Sequence, residues 1–140
     1  MTENDSRVYA ERLRNIINGE DIILKSEGKQ IRSYTYVADC AKAFLYILVN
    51  GESKNAYNIA NPNSITSIRN MAEVIAKVGD KKVIMELPKE KVAVNPMQCG
   101  VLNSDKLSSL GFKAEYDIKT GYSHCVTILR DLSSTSKNAK

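Results

Sequence analysis

Arg32 has the clearest potential, among the reactive residues of this chain, to bind a ligand. It lies between Ile31 and Ser33 in a segment rich in β-branched and aromatic residues, which favours a strand. A planar guanidinium with five donors can bind a phosphate or a carboxylate through two parallel hydrogen bonds. A solvent-facing arginine that pairs with Glu27 or Asp39 would show the same pattern. The residues alone therefore leave an anion clamp and an ordinary ion pair both open.

A polar loop, residues 61–64, offers a second group of candidate donors. It follows a short apolar segment, residues 57–60, that is predicted to be a strand. Ligands of α/β sheets usually bind beyond the carboxyl ends of the strands, where Asn63 and its neighbours could present amide and hydroxyl groups. An ordinary Asx turn would have the same composition, so both interpretations stand.

The other reactive side chains give weaker patterns. His124 is the single histidine, so the chain has very few residues that could form a zinc site or a Ser-His-Asp triad. Cys40 lies at a predicted helix start, where the helix dipole could lower its pKa, but a small apolar filler is the simpler interpretation. The three cysteines have no CxxC spacing and predict free thiols in a reducing compartment. Tyr34, Tyr36 and Tyr57 are interpreted as core residues, because no basic stripe accompanies them.

Composition excludes several classes of function. The chain has 140 residues, 43% of them hydrophobic and 26% charged, which is typical of a single globular domain. Its net charge of +4 comes from basic residues spread along the chain, so no nucleic-acid partner is predicted. The longest apolar stretch, residues 43–49, is far shorter than the roughly 20 residues that cross a bilayer. The polar start is unlike a signal peptide. We expect a cytoplasmic protein with no membrane partner.

Hydrophobic periodicity predicts a mixed α/β chain in the order α-β-β-α-β-α-β-α-α. The predicted helices are 6–18, 39–49, 66–79, 104–110 and one from Asp117 onward; the predicted strands are 22–24, 30–37, 57–60 and 83–87. The expected helix caps are Ser6 or Asp5, Asp39, Thr66 or Ser67, Ser104 and Asp117. Residues 89–100 are predicted to be a loop. The strands at 22–25 and 56–60 are apolar on both sides and need neighbours that the chain does not obviously supply.

The second predicted helix has a clear apolar side. Ala41, Phe44, Leu45 and Leu48 recur at helical spacing, and we expect them to face the core. The glycines stand singly, at positions 19, 28, 51, 79, 100, 111 and 121. No phosphate-binding glycine motif can be built from those positions.

Five segments resemble, in the same order, signature segments of extended short-chain dehydrogenases, the NAD-dependent nucleotide-sugar epimerases and dehydratases. Residues 29–39 resemble the family's Arg-(Asp/Ser)-aromatic-x-(Tyr/His)-Val-x-Asp stretch, and residues 56–64 its Tyr-Asn-(Ile/Leu/Val)-Gly strand with the polar loop. Residues 66–72 resemble the start of a family helix. Residues 101–112 resemble the family's Asp-x-x-Lys-Leu-x-x-Leu-Gly signature, and residues 118–122 resemble the helix after it.

The resemblance covers only the C-terminal part of that family. It implies an α/β fold class: a C-terminal substrate-binding lobe of an extended Rossmann-type fold over residues 1–132, with an incomplete sheet, followed by a disordered polar tail at 133–140. The family's Gly-rich NAD loop is not in the chain, and no tyrosine is followed four residues later by a lysine. We therefore expect Met1 to be either an internal methionine of a longer reading frame or the artificial start of a shortened chain.

The resemblance implies binding roles for the residues of this chain that match the family's motifs. The resemblance implies that Arg32 binds the diphosphate of a UDP- or dTDP-sugar and that Asn63 approaches the nucleotide or phosphate side. A second family arginine is replaced here by residues 97–100, and Lys89 or Lys91 could substitute for it. Asn103 stands where the family usually has an aspartate.

The resemblance also bears on catalysis. It implies NAD as the cofactor of the complete isomerase or lyase, and we expect this chain alone to bind none and to be inactive. The expected partners are a nucleotide sugar and the missing NAD-binding half. The alternative is a stand-alone, non-catalytic binding or interaction module derived from the same family.

Overall fold

Residues 5–88 and 97–138 are described by a computed structural model. Within them the helices are α1 (Val8–Asn18), α2 (Val37–Asn50), α3 (Ile68–Gly79), α4 (Asp105–Ser109) and α5 (Ile118–Asn138). The strands are β1 (Ile22–Leu24), β2 (Ile31–Ser33), β3 (Ile65–Ser67), β4 (Val83–Met85) and β5 (Cys99–Gly100), and a 3-10 turn spans Pro62–Ser64. The predicted mixed α/β fold is confirmed. None of the described helices combines the length and the apolar character that crossing a membrane requires.

The strands form two small sheets. β1 pairs with β4 in parallel, with Ile22 opposite Val83. β2 is the middle strand of the other sheet, antiparallel to β3 and parallel to β5. Because β2 is central, Arg32 lies between Thr66 on one side and Gly100 on the other.

The main core lies between α1, α3, α5 and strand β1. Its buried residues include Leu13, Ile16, Ile22, Leu24, Met71, Ala72, Ile75, Ala76, Tyr122 and Val126. In the third helix Ile68, Met71, Ala72 and Ile75 recur at helical spacing, which predicts one apolar side. Met71, Ala72 and Ile75 are completely buried, which confirms this prediction. Full burial of each large aliphatic side chain contributes about 1.5–3 kcal/mol.

The apolar side predicted for α2 was wrong. Phe44, Leu45 and Leu48 are 63%, 66% and 82% exposed. The opposite side of the helix packs inward through Ala43, which joins Leu107 and Phe112 in a second, smaller cluster. A helix that is apolar on both sides gives no periodic signal of which side is buried, and the packing of Ala43 decides it here.

Two of the predicted N-caps were also wrong. Arg7, not Ser6 or Asp5, stands at the N-cap of α1, and Asp5 instead accepts a hydrogen bond from the Arg7 N–H. Helix α2 begins at Val37 with Tyr36 at its N-cap, so Asp39 lies inside the first turn. The cause is tertiary: the buried Asp39 carboxylate accepts hydrogen bonds from the distant loop before α5.

Other helix ends confirm the sequence-based expectations. Ser67 caps α3 by accepting a hydrogen bond from the Asn70 N–H at 3.0 Å. Gly19 closes α1 in the left-handed region, with φ at 79°. Asp117 accepts a hydrogen bond from the Thr120 N–H at 2.7 Å, at the start of α5.

Residues 57–60 are not a strand in this structure. Within the described part of the chain, their backbone groups make no hydrogen bond to another backbone group. Tyr57 and Ile59 pack against the second cluster, while the side-chain amide of Asn58 donates to the Asn103 carbonyl. An extended apolar segment becomes a strand only beside another strand, and none of the described strands reaches this one.

Three further boundaries differ from the prediction. The strand expected over 30–37 is reduced to β2, because α2 already begins at Val37. The end of the expected loop 89–100 forms β5, while residues 89–96 lie outside the described residues. The expected tail from Ser133 continues α5 through Asn138, and its first hydroxyls donate to carbonyls one turn back, as Ser133 does to Arg130.

Candidate functional site

Arg32 is half-buried on the central strand β2, and its neighbours hold its guanidinium. Nη2 donates to the Met97 carbonyl at 3.0 Å, and Nη1 donates to the Ile31 carbonyl at 2.7 Å. Neither predicted acidic partner reaches it: Glu27 pairs with Lys29, and Asp39 binds backbone elsewhere. Among the described residues no carboxylate forms an ion pair with Arg32. The positive charge is therefore fixed in place and not neutralised by them.

Gly100 on β5 makes room for the Arg32 side chain. A Cβ at this position would lie 3.2 Å from the Arg32 Cδ and 3.0 Å from the Met97 Sδ. Both distances are tighter than ordinary van der Waals contact. The absence of a side chain at position 100 thus allows the guanidinium to cross from β2 to β5.

The polar loop 61–64 is a true Asx turn. The buried Asn61 accepts a hydrogen bond from the Asn63 N–H at 2.9 Å and donates to the Tyr116 carbonyl at 2.8 Å. Asn63 itself is exposed, and its side chain has no hydrogen-bond partner among the described residues. The Ser64 carbonyl accepts from the Tyr34 N–H at 3.0 Å, which joins this turn to the end of β2. The structure therefore connects the elements that carry Asn63 and Arg32.

A cleft of about 400 Å³ opens where β2 ends. Its wall is dominated by aromatic rings, contributed by Tyr9, Tyr34, Tyr36, Tyr116 and Tyr122. Ser33, adjacent to Arg32 in the chain, also lines it. Gly121 lets the Tyr36 ring approach α5, since a Cβ there would lie 3.3 Å from that ring.

Tyr122 is the most buried tyrosine of the cleft wall. It is 8% exposed, and its hydroxyl has no hydrogen-bond partner in the described ranges of the chain. Burial, together with the neighbouring Tyr34, raises the pKa of the Tyr122 phenol far above its usual range. The phenol therefore stays protonated at neutral pH and can donate to a carbonyl or hydroxyl placed in the cleft.

The sequence interpretation did not anticipate this cleft. Tyr34 and Tyr36 were assigned to the core, yet both are half-buried and line the open space. The available signal was the pairing of these tyrosines with Tyr116 and Tyr122, which lie at least 80 positions later in the chain. Because nothing local links the two pairs, only the tertiary contacts of Tyr34 with Tyr122 and of Tyr36 with Tyr116 reveal them.

Of the remaining candidates, His124 and Cys40 do not line the cleft, whereas Cys125 does. His124 packs edge-on against Tyr36 and Tyr116, with ring centroids 5.7 and 5.4 Å away. Cys40, Cys99 and Cys125 are free thiols. No cluster of three metal-ligating side chains occurs in residues 5–88 and 97–138.

Two candidates for a second phosphate contact, Lys89 and Lys91, lie outside the described residues. Asn103, which stands where the family usually has an aspartate, binds a backbone N–H at the start of α4. Its Oδ1 accepts the Asp105 N–H at 2.8 Å.

The described residues do not form a dinucleotide-binding turn. Such a turn joins a strand to a helix through glycines that let a pyrophosphate approach the helix N-terminus. The connection from β2 to α2 consists of Tyr34, Thr35 and Tyr36, with bulky rings in place of glycines. This connection does not fit NAD.

Comparison with known proteins relates the chain to one family. The sequence matches the NAD dependent epimerase/dehydratase family over residues 1–60. The chain is a relative of that family. The family resemblance identified from the sequence is confirmed by this match together with the relatives that follow.

Individual members of the epimerase/dehydratase group extend the similarity along the chain. The low-salt glycan biosynthesis protein Agl12 of Haloferax volcanii is 22% identical over 114 residues, covering 81% of this chain and 36% of that protein. UDP-glucuronic acid decarboxylase 1 of Arabidopsis thaliana is 24% identical over 131 residues, covering 94% of this chain and 29% of that protein. The chain thus spans well under half the length of these relatives.

A solved structure shows the same fold. The UDP-glucose 4-epimerase of Thermotoga maritima, crystallised with UDP-glucose, superposes with a TM-score of 0.72 at 18% identity. The match covers 95% of this chain and 41% of that one. The fold of this chain is therefore that of one portion of an epimerase.

Proposed function

We propose that this chain is the nucleotide-sugar-binding portion of an NAD-dependent sugar epimerase or dehydratase, and that Arg32 contacts the diphosphate. The observation that carries the proposal is the state of the Arg32 guanidinium, held by two backbone carbonyls without a carboxylate partner among the described residues. Partners in the described ranges use two of its five N–H groups, which leaves three that these residues do not occupy. A diphosphate supplies the oxygens and the negative charge that such a guanidinium binds best.

The tyrosine-lined cleft supports the same ligand class. A nucleotide sugar joins a charged diphosphate to uncharged rings, and the chain carries a fixed cation on β2 and a ring-lined space where that strand ends. The volume, about 400 Å³, lies within the usual range of small-molecule sites. Tyrosine faces pack against flat or apolar ring surfaces, and the Tyr122 hydroxyl can donate to a polar substituent. Asn63, exposed on the adjoining turn, is proposed as an amide contact on the nucleotide or phosphate side.

Catalysis would need groups that the sequence of this chain does not contain. NAD, when bound to a complete enzyme, accepts and returns a hydride. We infer that the NAD-binding half, with its catalytic Tyr-Lys pair, is a separate partner portion and that this chain contributes binding and orientation. We expect the purified chain to consume neither UDP-glucose nor dTDP-glucose when NAD is added. Chromatography of the nucleotide sugars measures this.

Thermal unfolding with added nucleotide sugars tests the proposed binding. A ligand that binds only the folded state stabilises it by about 2.7 kcal/mol at 100 times its dissociation constant, which raises the melting temperature. We expect a UDP- or dTDP-sugar to raise the melting temperature of the wild type. The Arg32→Ala variant should lose that rise.

The matched control is Arg69→Ala, which removes an exposed arginine that forms an ion pair with Glu73. This variant should keep the full thermal response. A rise of equal size in Arg32→Ala, or no rise with any of the UDP-, dTDP-, GDP- and CDP-sugars, contradicts the proposal.

A further inference from the structure

Tyr122 brings a polar group to the cleft that the described residues leave without a partner. The residue is 8% exposed, and none of the described residues forms a hydrogen bond with its hydroxyl. The hydroxyl is nevertheless open to the cleft, because Arg12 Nε is the single fully enclosed side-chain nitrogen or oxygen that lacks a partner in the described ranges. Buried tyrosine hydroxyls usually find a hydrogen-bond partner. A ligand in the cleft would supply one to Tyr122.

The protein holds the Tyr122 ring in place. The ring packs edge-on against Tyr34, with centroids 6.4 Å apart. Tyr122 also belongs to the main core, together with Val126 one turn later in α5. A packed ring has little rotamer freedom left to lose when a ligand binds. The hydroxyl is therefore positioned before a ligand arrives, and it selects ligands by where their polar groups lie.

The charged residues of the cleft wall favour an uncharged ligand group. Arg7 and Asp117 are the charged side chains that line it. Arg7 forms an ion pair with Asp5 at 2.7 Å. Hydrogen bonds from Thr120 lower the pKa of the Asp117 carboxyl, which therefore stays ionised at neutral pH. A carboxylate that entered the cleft would meet this negative charge, and no unpaired cation of the described wall would balance it.

The uncharged part of the wall suits a sugar ring. Ser33 and Thr35 line it together with the tyrosine rings. A pyranose has apolar C–H faces that can pack against such rings, and it has hydroxyl groups at its edge. Each sugar hydroxyl both donates and accepts hydrogen bonds, so a single phenol is a sufficient partner for it.

We propose that the Tyr122 hydroxyl donates a hydrogen bond to a hydroxyl oxygen of an uncharged sugar ring held in the cleft. This assignment rests on the proposed nucleotide-sugar binding and adds to it which part of the ligand the cleft takes. Arg32 then accounts for the affinity of the diphosphate, and Tyr122 for additional affinity of the sugar. The two contributions are separable, since UDP carries the diphosphate without the sugar.

Isothermal titration calorimetry of the full chain with UDP, UDP-glucose and UDP-glucuronic acid tests the proposal. The wild type should bind UDP-glucose more tightly than UDP, and UDP-glucuronic acid no more tightly than UDP. Tyr122→Phe should raise the dissociation constant of UDP-glucose about fivefold, because one hydrogen bond is lost, and leave that of UDP unchanged. A variant that merely disturbed the fold would weaken both ligands.

The control removes the same hydroxyl outside the cleft. The Tyr57 hydroxyl accepts the Glu52 N–H at 3.0 Å, and Tyr57 does not line the cleft, so Tyr57→Phe should keep both dissociation constants. Arg32-dependent binding that Tyr122→Phe leaves unchanged overturns the assignment while the proposed function stands. Equal weakening of UDP and UDP-glucose in Tyr122→Phe overturns it too, and so does UDP-glucuronic acid that binds as tightly as UDP-glucose. A wild type that binds neither UDP nor UDP-glucose contradicts the proposed function itself, and this assignment with it.

Discussion

Asp39 is joined to Tyr116, which lies 77 residues further along the chain, by a hydrogen bond that its carboxylate accepts. The Asp39 Oδ2 accepts the Tyr116 N–H at 3.0 Å, and its Oδ1 accepts the Glu115 N–H at 2.9 Å. Asp39 is completely buried. The carboxylate thus attaches the first turn of α2 to the loop before α5, beside the tyrosine-lined cleft.

Replacing Asp39 by Asn should destabilise the protein by about 1–3 kcal/mol. An asparagine amide keeps one acceptor but places an NH₂ group against a backbone N–H that needs an acceptor. Urea unfolding monitored by circular dichroism measures the loss. Asp131→Asn, a change of the same kind at an exposed position on α5, should leave the midpoint unchanged. Equal midpoints for both variants would show that the two hydrogen bonds add nothing.

Gly28 and Gly19 provide a matched pair of backbone sites. Both have positive φ, 62° and 79°, but only Gly28 is crowded: a Cβ there would lie 2.8 Å from the Arg69 backbone N. Gly19→Ala should cost about 1 kcal/mol for the left-handed conformation alone. Gly28→Ala should cost about 2 kcal/mol more, because it also disturbs the hydrogen bond from the Arg69 N–H to the Gly28 carbonyl. Urea midpoints of the two variants in the reverse order would refute the argument.

Gly100→Ala should weaken nucleotide-sugar binding without removing a charge. The new Cβ contacts the Arg32 Cδ and shifts the guanidinium across β5. We expect the dissociation constant to rise about fivefold, less than in Arg32→Ala, with a melting temperature close to that of the wild type in the absence of ligand. Isothermal titration calorimetry makes the comparison. An unchanged dissociation constant would mean that ligand binding does not depend on how Arg32 is positioned.

Tyr122 should make the protein sensitive to alkaline pH. Its pKa is raised by burial, so above about pH 10 the unfolded chain loses this proton while the folded chain keeps it. The free energy of unfolding should then fall as pH rises, by up to about 1.4 kcal/mol per pH unit from this residue. Tyr122→Phe should reduce this fall and match the wild type at pH 7, because the hydroxyl has no partner there among the described residues. Urea midpoints between pH 7 and 11 report both effects.

The sequence predicts local structure well where the signal is local. The stop at Gly19, the cap at Ser67 and the buried side of α3 all depend on residues within one or two turns, and all are confirmed. The short strand β1 is also found as predicted. In each case neighbouring residues supply both the pattern and the interaction that causes the structure.

The failures arise where the deciding partner is distant. Asp39 is of a residue type that often caps helices, but its carboxylate instead accepts a hydrogen bond from the Glu115 N–H of a distant loop. The segment 57–60 has the composition of a strand, but nothing in the described chain pairs with it. The orientation of α2 is set by Leu107 and Phe112, and the cleft by tyrosines from both ends of the chain. Such choices are tertiary, and no periodicity in one segment records them.

The pairing of β2 with β5 has a consequence for the order of folding. Arg32 reaches a carbonyl that lies 65 residues further along the chain, across the end of a two-residue strand. Closing so long a loop costs entropy before the few contacts of β5 return any stabilisation. The core of α1 and α3 can form earlier, so the surroundings of Arg32 are expected to be completed last. A nucleotide sugar that binds there would stabilise the pairing of β2 with β5, to which β5 contributes only two residues.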